Sequence, residues 1–333
     1  MKKLAKFLEL IAQYKPNPIP FSNESNIGIG SKFIYCPHPF TNWSLNPAFE
    51  NQEGQRIHTK EGFRRTDREP STVAFCHENP DAYKIYCVGG SSTYCTGIFD
   101  NRQVWPHILQ TKLRSQEANQ PLSVINGGVG GWSTIQSLVR LSTWGPLLKP
   151  DLLIVYQVKN EFTPMFNGRA SETTVFPDYA NVMAQISDVM GSSLVGRVSS
   201  WQKINDGISS VYVNRLQNGS KNLGRLDSEF VDGILNRFEI ITQTAKIWDA
   251  QVMLVPEIVA SGPYKKAVDQ VGDRLQNLAD RFDHVHFWDP RPLMPTGQNY
   301  FLDKMHLSSQ GCYQFADLLS RQVQAVMMTN ALL

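Results

Sequence analysis

The chain lacks the features that mark several large classes of protein. Neither charge is in excess: 32 Lys and Arg face 30 Asp and Glu in 333 residues, a net charge of +2. A phosphate backbone needs a concentrated basic face, so nucleic acid is excluded as an expected partner. No apolar run approaches the roughly 20 residues that span a bilayer. Cysteine is sparse. Cys36, Cys76, Cys87, Cys95 and Cys312 are scattered, and none forms a C-x-x-C pair. That excludes zinc-ribbon and thioredoxin-type sites, and a disulfide framework does not suit a chain this long. The five are expected to be free thiols. No Gly-Lys-Ser/Thr follows a glycine-rich turn, which removes the phosphate-binding loop.

What is present supports a large core, with 41% hydrophobic and 19% charged residues. Met1-Lys2-Lys3 could open a leader. However, Lys6 and Glu9 interrupt the apolar run behind it, and no small-residue cleavage site follows. Leu4, Phe7, Leu8 and Ile11 recur at helical spacing, so a short amphipathic helix packed on the body is expected, and the cytoplasm is the expected location. Residues 1–82 are rich in proline and interleaved aromatics, among them Phe33, Tyr35, Phe40, Trp43 and Phe49. Aromatics in a loop-rich stretch need burial, so this is read as an arm or small β-element lying on the main domain.

From Tyr83 to the end, short apolar runs alternate with amphipathic stretches. Strands are expected at Tyr83–Val88, Leu122–Asn126, Leu152–Gln157, Gln251–Val255 and Val285–Trp288. Helices are expected near Val104–Ser115, Thr134–Leu148, Glu229–Trp248, Tyr264–Phe282 and Ser308–Met327. Continuous apolar strands alternating with helices predict an α/β fold, a doubly wound parallel sheet of about five strands covered on both faces. Residues 161–227 form a long insertion, read as a partly helical cap near the site or as an oligomer interface.

In such sheets the loops at the carboxyl ends of the strands build the site. Four of them carry unusual chemistry. Gly89-Gly90-Ser91-Ser92-Thr93 places a serine on a tight turn directly after a strand, which exposes its oxygen, and Gly89 and Gly90 permit that turn because glycine tolerates backbone angles that other residues cannot. Asn126-Gly127-Gly128-Val129-Gly130-Gly131 and Lys159-Asn160-Glu161 offer a backbone N–H at Gly131 and a side-chain amide at Asn160. Asp303-Lys304-Met305-His306 places a carboxylate three residues before an imidazole, and a carboxylate on one ring nitrogen fixes the tautomer of the other. A second copy of that pattern, Asp283 to His286, lies along a predicted strand, where satisfied structural histidines are expected. Two basic residues stand out. Arg64 in the arm is expected to pin the arm through a salt bridge, with a clamp on a substrate anion as the alternative. Lys159 is expected at the solvent surface.

The order and strand-end placement of these four motifs over residues 83–328 resembles the SGNH (GDSL-type) hydrolase superfamily. The resemblance implies a flavodoxin-like three-layer sandwich, no metal and no cofactor. It matches Ser91 to the nucleophile, Gly131 and Asn160 to the oxyanion donors, and Asp303 and His306 to the acid and base. Two positions depart from the pattern: Gly90 stands where the family usually has Asp, and Val158-Lys159-Asn160-Glu161 stands for Gly-x-Asn-Asp. The expected function is hydrolysis of a carboxylic ester, carried by a small molecule, a sugar or a lipid, through an acyl-enzyme. The alternatives are acyl transfer to another alcohol by the same site, or a non-catalytic binding protein on the hydrolase fold.

Overall fold

A computed structural model of the chain describes residues 34–331 apart from 39, 68–69, 117–120, 163–227 and 263. The expected N-terminal helix and nearly all of the 161–227 insertion lie outside the described residues. The described chain opens with an antiparallel ribbon, β1 (Tyr35–His38) and β2 (Asn42–Leu45), followed by α1 (Thr72–Glu78). The α/β body then runs β3 (Tyr83–Gly89), α2 (Ser91–Tyr94), α3 (Trp105–Gln116), β4 (Leu122–Asn126), α4 (Thr134–Leu148) and β5 (Leu152–Tyr156). It continues with α5 (Ser228–Ala245), β6 (Gln251–Leu254), α6 (Lys265–Ala279), β7 (Val285–Phe287) and α7 (Ser309–Ala331). All five expected strands form, each ending within a residue of its predicted bound.

The sheet order is β4-β3-β5-β6-β7, with every pair parallel. Numbered along the sheet's own strands this is 2-1-3-4-5, the flavodoxin-like order, whose crevice opens where the order reverses, between β3 and β5. Both faces are covered. Ile85 and Cys87 of β3 and Ile154 and Tyr156 of β5 pack with Trp105 of α3 and Phe315 of α7. Tyr86, Val88, Leu153 and Val155 face the opposite way, toward Leu141 of α4, Phe238 of α5 and Val271 of α6. With both faces buried, no polar alternation is left, which explains the continuous apolar strands. Helix α6 shows the complementary pattern, burying Val268, Val271, Leu275 and Leu278 on one stripe.

The arm is fastened to the edge of this sheet nearest the glycine-rich turns. Trp43 Nε1 donates to the Gly130 carbonyl at 3.0 Å, and Trp132 Nε1 donates back to the Trp43 carbonyl at 3.1 Å. The backbone N–H of Arg64 donates to the Asn126 carbonyl. The buried Arg64 side chain corrects the expected salt bridge. Its guanidinium donates to the carbonyls of Tyr94 (2.7 Å), Cys95 (3.0 Å) and Ile98 (2.5 Å) and to Asn101 Oδ1 (2.9 Å). The Tyr94 and Cys95 carbonyls close α2 and the Ile98 carbonyl lies in the loop beyond it; a helix this short leaves its last carbonyls without internal partners, and one guanidinium gathers these three. Four of its five N–H donors are spent on the fold, which leaves no pair of donors for a two-pronged clamp on a substrate anion.

His58 fixes the same helix from the other side. Its Nδ1–H donates to the Asn46 carbonyl at 2.6 Å, and its Nε2 accepts from the Tyr94 hydroxyl at 3.0 Å. Burial, aided by the charges of Arg64 and Arg140 and opposed by the Asn46 bond, pushes the ring pKa down to about 3. The unfolded chain therefore binds a proton below about pH 6.5 that the folded chain refuses until about pH 3. Stability through this group is intact above pH 6.5 and falls below it by up to about 1.4 kcal/mol per pH unit. Urea midpoints of wild type and His58→Gln between pH 7 and 4.5 should converge as pH falls, with wild type the steeper. Parallel curves would contradict a buried neutral ring.

Candidate active site

Ser91 begins α2 directly behind the carboxyl end of β3, and Gly89 and Gly90 lead into it. Backbone freedom was the expected reason for both glycines, but neither has a positive φ; space is the reason. A Cβ on Gly89 would lie 2.1 Å from Thr93 Oγ1 and 2.4 Å from the Tyr156 carbonyl oxygen. A Cβ on Gly90 would lie 2.7 Å from Asn160 Nδ2 and 3.2 Å from the Trp132 carbonyl oxygen. The family's usual aspartate therefore has no room at position 90 unless Asn160 moves. Gly131 differs from these two, with φ of 81°, a left-handed conformation that favours glycine.

The histidine arrives from the other side of the sheet. Between β7 and α7 the chain folds back in a short bridge pairing Phe301 with Leu307, and Leu302 N–H donates to the His306 carbonyl at 2.8 Å. The turn at its tip is held by Asp303, whose Oδ1 accepts the backbone N–H groups of Met305 and His306, both at 2.8 Å. Its other oxygen, Oδ2, accepts from His306 Nδ1 at 2.6 Å. An ionised carboxylate only accepts, so Nδ1 carries the proton and Nε2 is left as an acceptor. Ser91 Oγ lies 2.9 Å from that Nε2 and donates to it. Burial opposes charge on Asp303, but the bonds from the His306 ring and backbone outweigh it and hold the carboxyl well below the usual carboxylate range.

Two further expected residues flank this chain of bonds. Asn160 lies in a 3₁₀ turn, Lys159–Phe162, after β5, and its Nδ2 donates to the Trp132 carbonyl at 2.9 Å. Gly131 immediately precedes Trp132, so the two expected donor loops are tied to one another beside Gly90. Glu161, where the family has Asp, is buried. It accepts from the Thr134 N–H at the start of α4 at 2.5 Å and from Arg237 Nη2 of α5 at 2.8 Å. Lys159 corrects the expectation of exposure. It is 2% exposed, with Nζ 5.0 Å from the centroid of the Tyr264 ring.

The second Asp-to-His pattern stays apart from this site. His284 Nε2 lies 3.1 Å from the Thr242 carbonyl oxygen, and His286 Nε2 lies 2.9 Å from Gln251 Oε1. One site residue escaped the sequence reading altogether. Glu257 follows β6 and is buried against both the serine turn and the Asn160 turn. Its only signal is an acidic residue placed directly behind an apolar strand on the same carboxyl edge. A concavity of about 530 Å³ along the outer face of α5, lined by Asn236, Glu239 and Ile247, contains none of these groups.

No family model matches the chain, and no curated protein matches it in sequence. Solved structures do match its chain path. In fold, the chain is similar to GDSL-type hydrolases. A protein of the lipolytic G-D-S-L family from Desulfitobacterium hafniense shares 9% identity at a TM-score of 0.46, covering 72% of this chain and 98% of its own. An α/β hydrolase from the metagenome of Lake Arreo shares 13% at 0.46, covering 72% and 94%. A catalytic mutant of an acetylxylan esterase from Geobacillus stearothermophilus shares 14% at 0.44, covering 72% and 94%. Likeness at this level concerns chain path alone.

The two glycines should respond differently to alanine. Gly89→Ala drives a methyl into a backbone carbonyl and should destabilise by about 3 kcal/mol or prevent folding. Gly90→Ala meets the movable end of Asn160 and should cost under about 1 kcal/mol in stability. Urea unfolding of both variants checks the order, and the reverse order would contradict the packing described.

Proposed function

We propose that this protein is a serine esterase acting on carboxylic esters of a small molecule, sugar or lipid. One observation carries the proposal: the His306 imidazole is shared between Ser91 Oγ at 2.9 Å and Asp303 Oδ2 at 2.6 Å. A serine hydroxyl is a weak nucleophile until a neighbouring base takes its proton. Here the base is oriented, and its charged form is supported, by a carboxylate that stays ionised.

Ser91 Oγ attacks the ester carbonyl carbon while His306 Nε2 takes the hydroxyl proton. The tetrahedral intermediate collapses as the imidazolium returns that proton to the leaving alcohol, and the acyl group stays on Ser91. Water then repeats the sequence: His306 removes its proton, the acid departs, and Ser91 regains its hydrogen. The oxyanion in both halves is held by the backbone N–H groups of Ser91 and Gly131 and by the Asn160 amide. Asn160 is suited to this role because an NH₂ group carries two hydrogens. One goes to the Trp132 carbonyl; the amide sits directly over Gly90, beside Ser91. A donor of this kind contributes about 10²–10³ in rate.

Ser91→Ala should retain the wild-type melting temperature and lower kcat on p-nitrophenyl esters by about 10³-fold or more. A series of acyl chain lengths measured on both proteins also reports the size of the acyl pocket. An unchanged kcat in the folded variant would sink the assignment. Asp303→Asn replaces the ionised acceptor with a neutral amide and should lower kcat by roughly 10²–10⁴ with little change in KM. Wild-type kcat in that variant would remove the carboxylate from the mechanism.

A further inference from the structure

Glu257 sits at the carboxyl end of β6, 4% exposed, in the floor beneath the site. Three donors converge on its carboxylate. Ser92 Oγ donates to Oε1 at 2.6 Å, and the backbone N–H groups of Val158 and Lys159 donate to Oε2 at 2.6 and 2.7 Å. These contacts fall on two separate catalytic segments. Ser92 is the neighbour of Ser91, and Val158 and Lys159 immediately precede Asn160. The two turns lie on either side of the crevice between β3 and β5, where the backbone ladder ends at the Gly89–Tyr156 pair. Beyond that pair the ladder no longer sets the spacing of Ser91 and Asn160. Charge-assisted bonds of this length are among the stronger ones in proteins, and they replace the ladder here.

We propose that Glu257 is a positioning residue that sets the distance between the Ser91 nucleophile and the Asn160 oxyanion donor; the proposal rests on the esterase reading of the site. Glu257 touches no reacting atom. It acts through Ser92 and through the peptide groups leading into Asn160. Its length is therefore the property that matters. Glutamine of the same length can keep its oxygen on the two N–H groups while its NH₂ donates to Ser92 Oγ. Aspartate keeps the charge but withdraws the acceptor by one methylene.

The experiment measures kcat and KM on a p-nitrophenyl ester for wild type, Glu257→Gln, Glu257→Asp and Glu257→Ala, with competent sites counted by fluorophosphonate titration. A misplacement of about 1 Å can cost roughly 10²-fold in rate. Glu257→Asp and Glu257→Ala should therefore lose about 10²-fold in kcat per titrated site with KM little changed, and Glu257→Gln should stay within about tenfold of wild type. If Glu257→Ala does not fold, the Gln and Asp pair decides alone. Wild-type kcat per titrated site in Glu257→Asp would overturn the role, since a merely structural residue lowers the number of competent sites and not their rate. An active Asp variant beside an inactive Gln variant would also overturn it, by making charge and not length the requirement. A wild type that neither labels nor turns over would instead overturn the esterase reading itself.

Discussion

The structure depends on one imidazole. His306 lies 215 residues beyond Ser91 in the chain, and its ring is the only link among the described residues between the serine hydroxyl and the Asp303 carboxylate. Neither group is useful alone. The hydroxyl lacks a base, and the half-exposed carboxylate would be an ordinary surface aspartate. Joining them demands that the turn after β3 and the turn before α7 be held in fixed relation across the top of a sheet whose middle strand, β5, is completely buried. Much of the fold described above can be understood as meeting that demand. The bridge between Phe301 and Leu307 shapes one turn, and Arg64 and His58 grip the other from the arm.

The arm's part is mechanical. Helix α2 has only four residues, too short to be stable by its own hydrogen bonds. Arg64 supplies donors for its carbonyl end, His58 holds the Tyr94 hydroxyl, and the exchanged indole bonds of Trp43 and Trp132 fix the glycine turn that carries Gly131. The described residues before Tyr83 thus hold the segments that carry Ser91 and Gly131.

The fold, and the residues that the fold brings together at Ser91, were legible in the sequence for identifiable reasons. Strands buried on both faces read as unbroken apolar runs, so their ends could be located, and the chemistry clusters at those ends. The duplicated Asp-to-His pattern was separable because His284 and His286 lie along or beside a strand, whereas Asp303 and His306 lie in a loop. What was not legible depends on contacts between distant segments. Lys159 was expected at the surface, where lysine is usually found, and only the packed turn shows it buried near Tyr264. Gly89 and Gly90 were attributed to backbone freedom, but the limit is space shared with Thr93 and Asn160. Glu257 carries no motif, and its role is visible only when the β5 and β6 loops are seen side by side.

In the proposed esterase this arrangement activates Ser91 and not its neighbour Ser92, whose hydroxyl is committed to Glu257 at 2.6 Å. Peptide mapping by mass spectrometry after exposure to a fluorophosphonate tests this most directly. One adduct per chain is expected, on Ser91, absent from His306→Ala. An adduct on Ser92, or labelling of Ser91 that survives loss of the imidazole, would contradict it.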